Sequence, residues 1–277
     1  MAEDAVLTQP PARGTRLWSS VGKALGSCYL GIVLLFLYLP ILTMIVLSFN
    51  ESKSRARWGG FTLKWYVQLF SSETILRAFY NTMLIALLSA LIATLVGTAA
   101  AIGIHSMKRL PRNVCMALTN IPMLDADIVT GISLMLAFVA FGISLGFSTI
   151  LISHVTFNIP YVILSVMPKL KQTNRSAYEA AQDLGATPGR AFFLVVLPDL
   201  IPGILSGFLL AFTMSLDDFI ITHFTKGAGI DTLSTLIYSQ VRRGIVPSMY
   251  ALSAIIFIAV LVLLLITNFL PKKPQKL

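Results

Sequence analysis

Long apolar stretches, free of charge, alternate along this chain with short polar ones. Residues 28–49, from Cys28 to Phe49, carry no charge, and neither do residues 78–104. Residues 128–168 carry none apart from His154. A helix needs about 20 mostly apolar residues to cross a hydrocarbon core of about 30 Å. The run 128–168 is therefore too long for one crossing and suits two. The turn between them is expected at GISLGF (142–147), where Gly142 and Gly146 break the pattern. Residues 114–127 begin the first of this pair and are interrupted by Pro122, Asp125 and Asp127. A fifth crossing is expected from about Gly203 to Phe224 and a sixth from about Met249 to Leu270. Backbone groups in lipid must bond internally, which admits helices or closed barrels, and unbroken apolar runs of this length exclude a barrel. The pattern predicts an all-α membrane protein with six transmembrane helices. It divides into a leader (1–27), a transmembrane domain (28–270) and a tail (271–277). The first apolar run is too long for the core of a cleaved signal, and the polar leader before it is too long as well.

Composition points the same way. The chain is 56% hydrophobic and 12% charged, with a mean hydropathy of +0.81. A soluble domain of this size needs far more charge to cover its surface. The opening MAEDAVLTQPPARGTR, with two prolines and few large apolar residues, is expected to be unstructured. The net charge of +9 bears on orientation rather than on nucleic acid. With six crossings both termini share a side. That side holds thirteen Lys and Arg, including Arg13, Lys23, Lys108, Arg112 and Lys273, against eight on the other. The excess places both termini in the cytoplasm. Cys28 and Cys115 fall near cytoplasmic helix ends and are expected to be free thiols.

The segment 169–202, KLKQTNRSAYEAAQDLGATPGRAFFLVVLPDLIPG with its closing glycine, is a cytoplasmic loop between two crossings. Ser176 and Glu179 have the spacing of a capping box, so a helix is expected to start at Ser176. Gly185 can end it in a left-handed conformation. Thr187 and Pro188 can start a second helix. Pro198 and Pro202 are then expected to break the chain before the next crossing. The product is two short helices joined at a glycine hinge, a compact projection suited to docking.

The same loop carries a family resemblance. Glu179-Ala180-Ala181, three residues, Gly185, nine residues, Val195, one residue and Leu197-Pro198 match the pattern EAA, G, I, LP, with Val195 replacing Ile. This resembles the inner-membrane permease subunits of bacterial ABC importers, with a type I importer permease fold. The resemblance implies that the loop fits a cleft on a cytoplasmic ATPase. There Ala180 and Ala181 would permit close helix contact and Glu179 would pair with a basic group. Further stretches resemble the polyamine (spermidine/putrescine) permeases: FTMSLDDFIITHFTKG (212–227), LIYSQVRRGIVPSMYALS (236–253), DIVTGISLMLAF (127–138) and SHVTFNIPYV (153–162). The resemblance spans most of residues 30–270. It implies a multi-pass subunit of the bacterial cytoplasmic (inner) membrane. Its partners would be an ABC ATPase, a second homologous permease and an extracytoplasmic polyamine-binding protein, with lipid around it and no nucleic acid. One departure matters: Ser234 and Leu236 stand where that family carries Pro and Lys. A gating role tied to that Lys does not carry over.

Four carboxylates, Asp125, Asp127, Asp217 and Asp218, lie within the apolar crossings. Each costs about 2.5–3.5 kcal/mol near a helix centre, so such residues usually face a bundle interior or a water-filled path. At about 1.5 Å per residue, Asp217 is expected roughly 21 Å beyond Gly203, and Asp127 roughly 20 Å beyond Val114. Both would then lie on the outer side of the midplane. Spaced carboxylates give charge-assisted hydrogen bonds to ammonium groups, and Phe212, Phe219 or Tyr238 can add cation–π contact. Asp217 and Asp218 point about 100° apart on a helix, so one alone is expected to face the path. The competing reading for any one of these acids is that it caps a broken helix or bonds a partner subunit. The substrate path is thus assigned to Asp127, Asp217, Asp218, Phe219 and Tyr238.

Other features are weaker. Gly142-Ile143-Ser144-Leu145-Gly146 matches G-x-S-x-G with His154 downstream, but a nucleophile elbow needs a strand–turn–helix setting. A buried His154 bonded to a neighbouring helix is the better reading. Scattered His105, His154, His223 and two Cys indicate no metal site. The chain has no P-loop, so no cofactor and no enzymatic activity are expected. The outer segment 58–70, with its aromatics, is expected to anchor at the membrane surface. Competing readings are a permease for another solute, such as ferric iron, thiamine or an anion, and a secondary transporter that relays protons through the Asp residues.

Overall fold

The computed structural model describes residues 13–52, 54, 56–243 and 246–269. The helices in chain order are α1 (Arg13–Ser48), α2 (Lys64–Ser71), α3 (Glu73–Ser106), α4 (Arg109–Leu124), α5 (Asp127–Ala140), α6 (Phe147–Gln172) and α7 (Arg175–Asp183). There follow α8 (Pro188–Ala191), a π-helical turn (Phe192–Val196), α9 (Leu197–Asp217), α10 (Ile220–Thr225), α11 (Leu233–Arg243) and α12 (Pro247–Phe269). Among the described residues the extended pairing is one isolated bridge, Asn50 with Phe61. The all-helical expectation therefore holds. The first part of the expected leader, residues 1–12, and the expected tail, 271–277, lie outside the described residues. Residues 13–16, the end of the stretch expected to be unstructured, are helical: α1 already begins at Arg13. Past Pro10 and Pro11, no proline in residues 13–26 stops the helix from continuing backward from the apolar run.

The chain falls into two units, residues 1–71 with 245–277 and residues 72–244. In the first unit, α1 and α2 both pack on α12. The connection from α1 to α2 is organised by Asn50, buried to 1% exposure. Its amide donates to the Arg57 carbonyl (2.9 Å) and accepts from Gly59 N–H (2.8 Å). The Trp65 indole donates to the Asn50 carbonyl at 2.7 Å. Trp65 is thus a core residue, 2% exposed, and not the surface anchor expected of this segment, whereas Trp58 stays 55% exposed. The indole N–H explains the difference, since the buried turn offers it an acceptor.

In the second unit, α3, α6 and α9 form the core. They approach closely because small residues line the seams. A Cβ on Gly97 would lie 2.8 Å from Cβ of Val162, and one on Gly207 would lie 3.3 Å from Cα of the same Val162. Val162, fully buried, is wedged between two glycines from two different helices. Packing of this kind brings helices together in lipid, where no hydrophobic force draws them. α5 and α10 pack on one another alongside this core, and α10 also touches α6.

Among the described residues, four helices are long and apolar enough to cross a membrane: Gly26–Ser48, Glu73–Ser106, Phe147–Gln172 and the continuous Pro188–Asp217. The third expected crossing is not straight. α4 and α5 together are apolar enough, but they meet at a 103° bend. The bend falls at Asp125 and Ala126, both extended, after Pro122 has been taken into α4. The straight-helix depth expected for Asp127 is therefore overturned. The fifth expected crossing, Gly203 to Phe224, is likewise redrawn: its helix starts earlier, at Pro188, ends at Asp217, and is followed by the separate α10. α12, the sixth expected crossing, is 23 residues long. The turn between α5 and α6 falls where expected, with Gly142 at a φ of +70°.

The glycine seams are open to test. Gly97→Leu should lower the thermal unfolding midpoint of the detergent-solubilised chain, since overpacking costs about 1–3 kcal/mol. Gly103→Leu, at a position with nothing within 4 Å, should leave it unchanged. Equal midpoints for the two variants would contradict the close approach of α3 and α6.

Candidate functional site

Asp125, Asp127, Asp217 and Asp218 all sit at helix ends or in the breaks between helices. Asp125 caps the C-terminus of α4 and accepts from Ala126 N–H at 3.0 Å. Asp127 opens α5. Asp217 closes α9, and Asp218 (ψ 124°) stands in the break before α10. Helix ends leave backbone groups unpaired and let a short acid reach them, which an unbroken helix does not.

Three of the four come together. A cavity of about 390 Å³ is lined by Asp127, Asp217, Asp218 and Phe219, together with Pro122, Tyr161 and others. Asp125 is not among the lining residues. Asp127 and Asp217 are exposed. Asp218 is different: its side chain is 8% exposed, and its oxygens are engaged. Oδ2 accepts from Thr222 N–H and from Thr222 Oγ1, both at 2.7 Å, and Oδ1 accepts from Ile221 N–H at 3.3 Å. Asp218 thereby caps α10. The two adjacent acids differ in setting: Asp218 caps the short helix after the break, and Asp217 is exposed on the cavity wall.

Behind Asp218 lies a buried polar cluster. His154 on α6, 1% exposed, places Nε2 2.8 Å from Thr222 Oγ1 and 3.4 Å from Asp218 Oδ2. Its Nδ1 lies 2.5 Å from Ser215 Oγ, which is 3.0 Å from Ser89 Oγ on α3. Both ring nitrogens are thus taken by neighbouring helices, and Ser144 of the G-x-S-x-G match is not a partner. Ser234 Oγ on α11 donates to the Asp218 carbonyl at 2.7 Å. Ser234 is one of the two positions where the family resemblance departs, and the other, Leu236, is buried at 5% exposure. Tyr238 does not line the cavity. It packs on Phe219 with ring centroids 4.3 Å apart, and Phe219 also stacks on His223 at 5.2 Å. Sequence reasoning missed Ser89, Ser215, Thr222 and Ser234. The available signal was Thr222 four residues after Asp218, the reach of a helix cap. It also missed Phe157 and Tyr161 on the cavity wall, which sit four apart on one face of α6.

The loop after α6 is built differently from expectation. α7 is capped by Asn174, whose side chain accepts from Ser176 N–H at 2.9 Å. Ser176 is therefore the recipient of the cap and not its source, since Asn is as strong an N-cap as Ser and stands two residues earlier. Gly185 ends α7 with a φ of +90°. Ala186 N–H bonds the Ala181 carbonyl (3.0 Å) and Gly185 N–H bonds the Gln182 carbonyl (2.8 Å), a Schellman closure. Glu179 and Ala180 are exposed and Ala181 half-buried. Leu184, just before the glycine, is 90% exposed, an apolar side chain that the sequence reading did not single out. Pro198 and Pro202 do not break the chain. The helix from Pro188 runs on to Asp217, and the π turn accommodates Pro198: Leu197 N–H reaches back five residues to the Phe192 carbonyl. A widened turn re-registers the hydrogen bonds ahead of a residue that has no donor. Leu197 is half-buried and Pro198 exposed.

Comparison with known proteins agrees with this architecture. Residues 93–273 match the family described as binding-protein-dependent transport system inner membrane component. The chain is 33% identical over 256 residues to the spermidine/putrescine transport system permease protein PotC of Escherichia coli (strain K12), covering 92% of this chain and 97% of that protein. It is 38% identical over 248 residues to the putrescine transport system permease protein PotI of the same strain, covering 87% of this chain and 88% of that protein. Among solved structures, a bacterial ABC transporter involved in import of the acidic polysaccharide alginate superposes with a TM-score of 0.69. The match has 15% identity and covers 95% of this chain and 100% of that one. At that identity it speaks for the fold alone.

The cap of α7 yields a measurable expectation. Asn174→Ala should speed hydrogen exchange across the amides of Arg175–Asp183 by about fivefold, the scale of a lost N-cap of about 1 kcal/mol. Ser176→Ala should leave exchange as it is, and the reverse ranking would restore the Ser176 cap.

Proposed function

Because this chain belongs to the family of binding-protein-dependent transport system inner membrane components, we propose that it forms one half of the pore of an ATP-driven importer for polyamines. It is an ABC transporter permease of the inner membrane. The observation that carries the substrate assignment is the cavity that gathers Asp127, Asp217 and Asp218 beside Phe219 and Tyr161. Its volume of about 390 Å³ lies within the range of about 300–1,000 Å³ usual for small-molecule sites. A flexible chain with two or more ammonium groups suits it. Asp127 and Asp217 offer open carboxylates for charge-assisted hydrogen bonds. Asp218 adds charge from behind, its oxygens already engaged with Thr222 and Ile221. Phe219, braced by Tyr238, offers a face for cation–π contact. The names of PotC and PotI support the same class of solute. An anion would meet repulsion from three acids, which disfavours that alternative.

In this reading the chain crosses the membrane six times, with α4 and α5 as one bent crossing, α12 as the last, and both termini in the cytoplasm. The loop from α7 to the π turn docks on a separate ATPase through Glu179, Ala180, Ala181 and Gly185, with Leu184 as an apolar contact. Leu197 and Pro198 join that surface to the crossing helix. A second permease completes the pore, and a solute-binding protein delivers the ligand from outside. ATP binding and hydrolysis by the partner close and reopen the pair. The continuous helix from Pro188 to Asp217 joins the docking surface to the acid cavity in a single rod. The chain itself performs no covalent chemistry.

Uptake of labelled spermidine and putrescine into vesicles holding the chain with its ATPase, second permease and binding protein tests this directly. Uptake should require ATP. Asp217→Asn should lower it about tenfold, the scale of one charge-assisted hydrogen bond, while ATPase docking persists. Glu179→Lys should abolish uptake while the chain still inserts. ATP hydrolysis stimulated by the binding protein without polyamine uptake would keep the permease role and discard the substrate.

A further inference from the structure

His154 lies behind the cavity, sealed from it, and touches none of the space a solute would occupy. Its hydrogen bonds nevertheless lead to the cavity wall. Thr222 has one hydroxyl proton, and it is donated to Asp218 Oδ2 at 2.7 Å. Thr222 Oγ1 can then only accept from His154 Nε2, 2.8 Å away, so the ring carries a proton on Nε2. The result is a directed bridge, Nε2–H to Oγ1, Oγ1–H to Oδ2, from α6 to the break between α9 and α10. The direct separation from Nε2 to Oδ2 is longer, 3.4 Å, which makes the threonine hydroxyl the working link. On its other side the ring is held by Ser215 Oγ at 2.5 Å, and Ser215 by Ser89 at 3.0 Å. The imidazole is therefore fixed to the core helices α3, α6 and α9, and it passes that fixed position to Asp218. Ser234 grips the same residue through its carbonyl at 2.7 Å.

We infer that His154 is a positioning residue: acting through Thr222, it holds the α9–α10 break so that Asp218 faces inward and the adjacent Asp217 stays open to the cavity. The inference deepens the polyamine reading and rests on it only for what the cavity takes, not for the bridge. If the break were released, Asp217 and Asp218 would no longer be kept in separate roles. Adjacent like charges would compete for the same protons and the same solute.

The two amide residues that imitate either half of an imidazole separate this role from simple core filling. Gln reaches about as far as Nε2 and can still donate to Thr222, whereas Asn reaches only as far as Nδ1 and keeps the Ser215 side. The full chain, with its transporter partners in membrane vesicles, carries Asp217→Cys together with Cys28→Ser and Cys115→Ser. Modification by a trimethylammonium methanethiosulfonate reagent is timed. His154→Asn and Thr222→Val should each change the rate by about fivefold or more, the scale of a lost hydrogen bond to a charged group. The double variant should add nothing further, and His154→Gln should match the parent. With Asp217 intact, uptake of spermidine should fall about tenfold in His154→Asn and be restored in His154→Gln. Equal labelling in the Asn, Gln and parent chains, or equal losses in Asn and Gln, would overturn the positioning role. If the parent takes up no polyamine, the functional reading falls while the labelling rates still decide this one.

Discussion

A carboxylate drawn out of water must recover in hydrogen bonds what it loses in hydration, a debt of several kcal/mol. Asp218 is the place where this chain meets that demand, and much of the second unit is arranged around it. The helix must stop at Asp217 so that the acid can turn back onto the N–H groups of Ile221 and Thr222. Stopping there creates α10, and α10 packs on α5. That packing brings Asp127, at the head of α5, to the same cavity. The bond to Thr222 draws in His154, and His154 in turn requires hydroxyls on two more helices, Ser215 and Ser89. A single buried acid thus accounts for polar residues scattered over more than a hundred positions of sequence.

The rest of the core has the opposite character. Along α3, α6 and α9 the contacts are of backbone and small side chains, with Gly97 and Gly207 closing on Val162. Where these glycines close on Val162 the seam leaves little room to slide, which marks it as scaffold. The polar break at one end and the widened turn at the other are where the same helices depart from regularity. Both departures lie on the continuous stretch from Pro188 to Asp217, or immediately after it. The glycine-hinged loop and the acid cavity therefore lie at the two ends of one element, with the close approach of Gly207 to Val162 between them.

Much of this was legible in the sequence because lipid imposes long, simple patterns. Uncharged runs marked α1, α3 and α6, Gly142 marked a turn, and Gly185 marked a helix end by its left-handed backbone. The spacing from Glu179 to Pro198 identified the loop. What was not legible depended on neighbours distant in sequence. The break after Asp217 could not be read because an apolar run from Gly203 to Phe224 looks like one helix whether or not His154 stands beside it. Asn174 was passed over because Ser176 with Glu179 has the better-known spacing, and only the backbone reveals which oxygen reaches which N–H. Pro198 misled for a different reason. Proline forbids one hydrogen bond, not a helix, and the π turn at Phe192–Val196 shifts the pairing past it.

That π turn also fixes a count. A widened turn holds one residue more than the α-helix it interrupts, and each α-helical residue turns the chain by about 100°. The face that Asp217 presents, two dozen positions later, depends on how many residues lie between Thr187 and Pro198. The spare residue of the widened turn is slack: with one residue of 192–196 taken out, the turn closes to an ordinary α turn and Asp217 keeps its face. A second loss finds no slack, and the acid comes out rotated by about 100°. The helix that ends at Asp217 thus carries, at its far end, a reserve of a single residue against a change in its length.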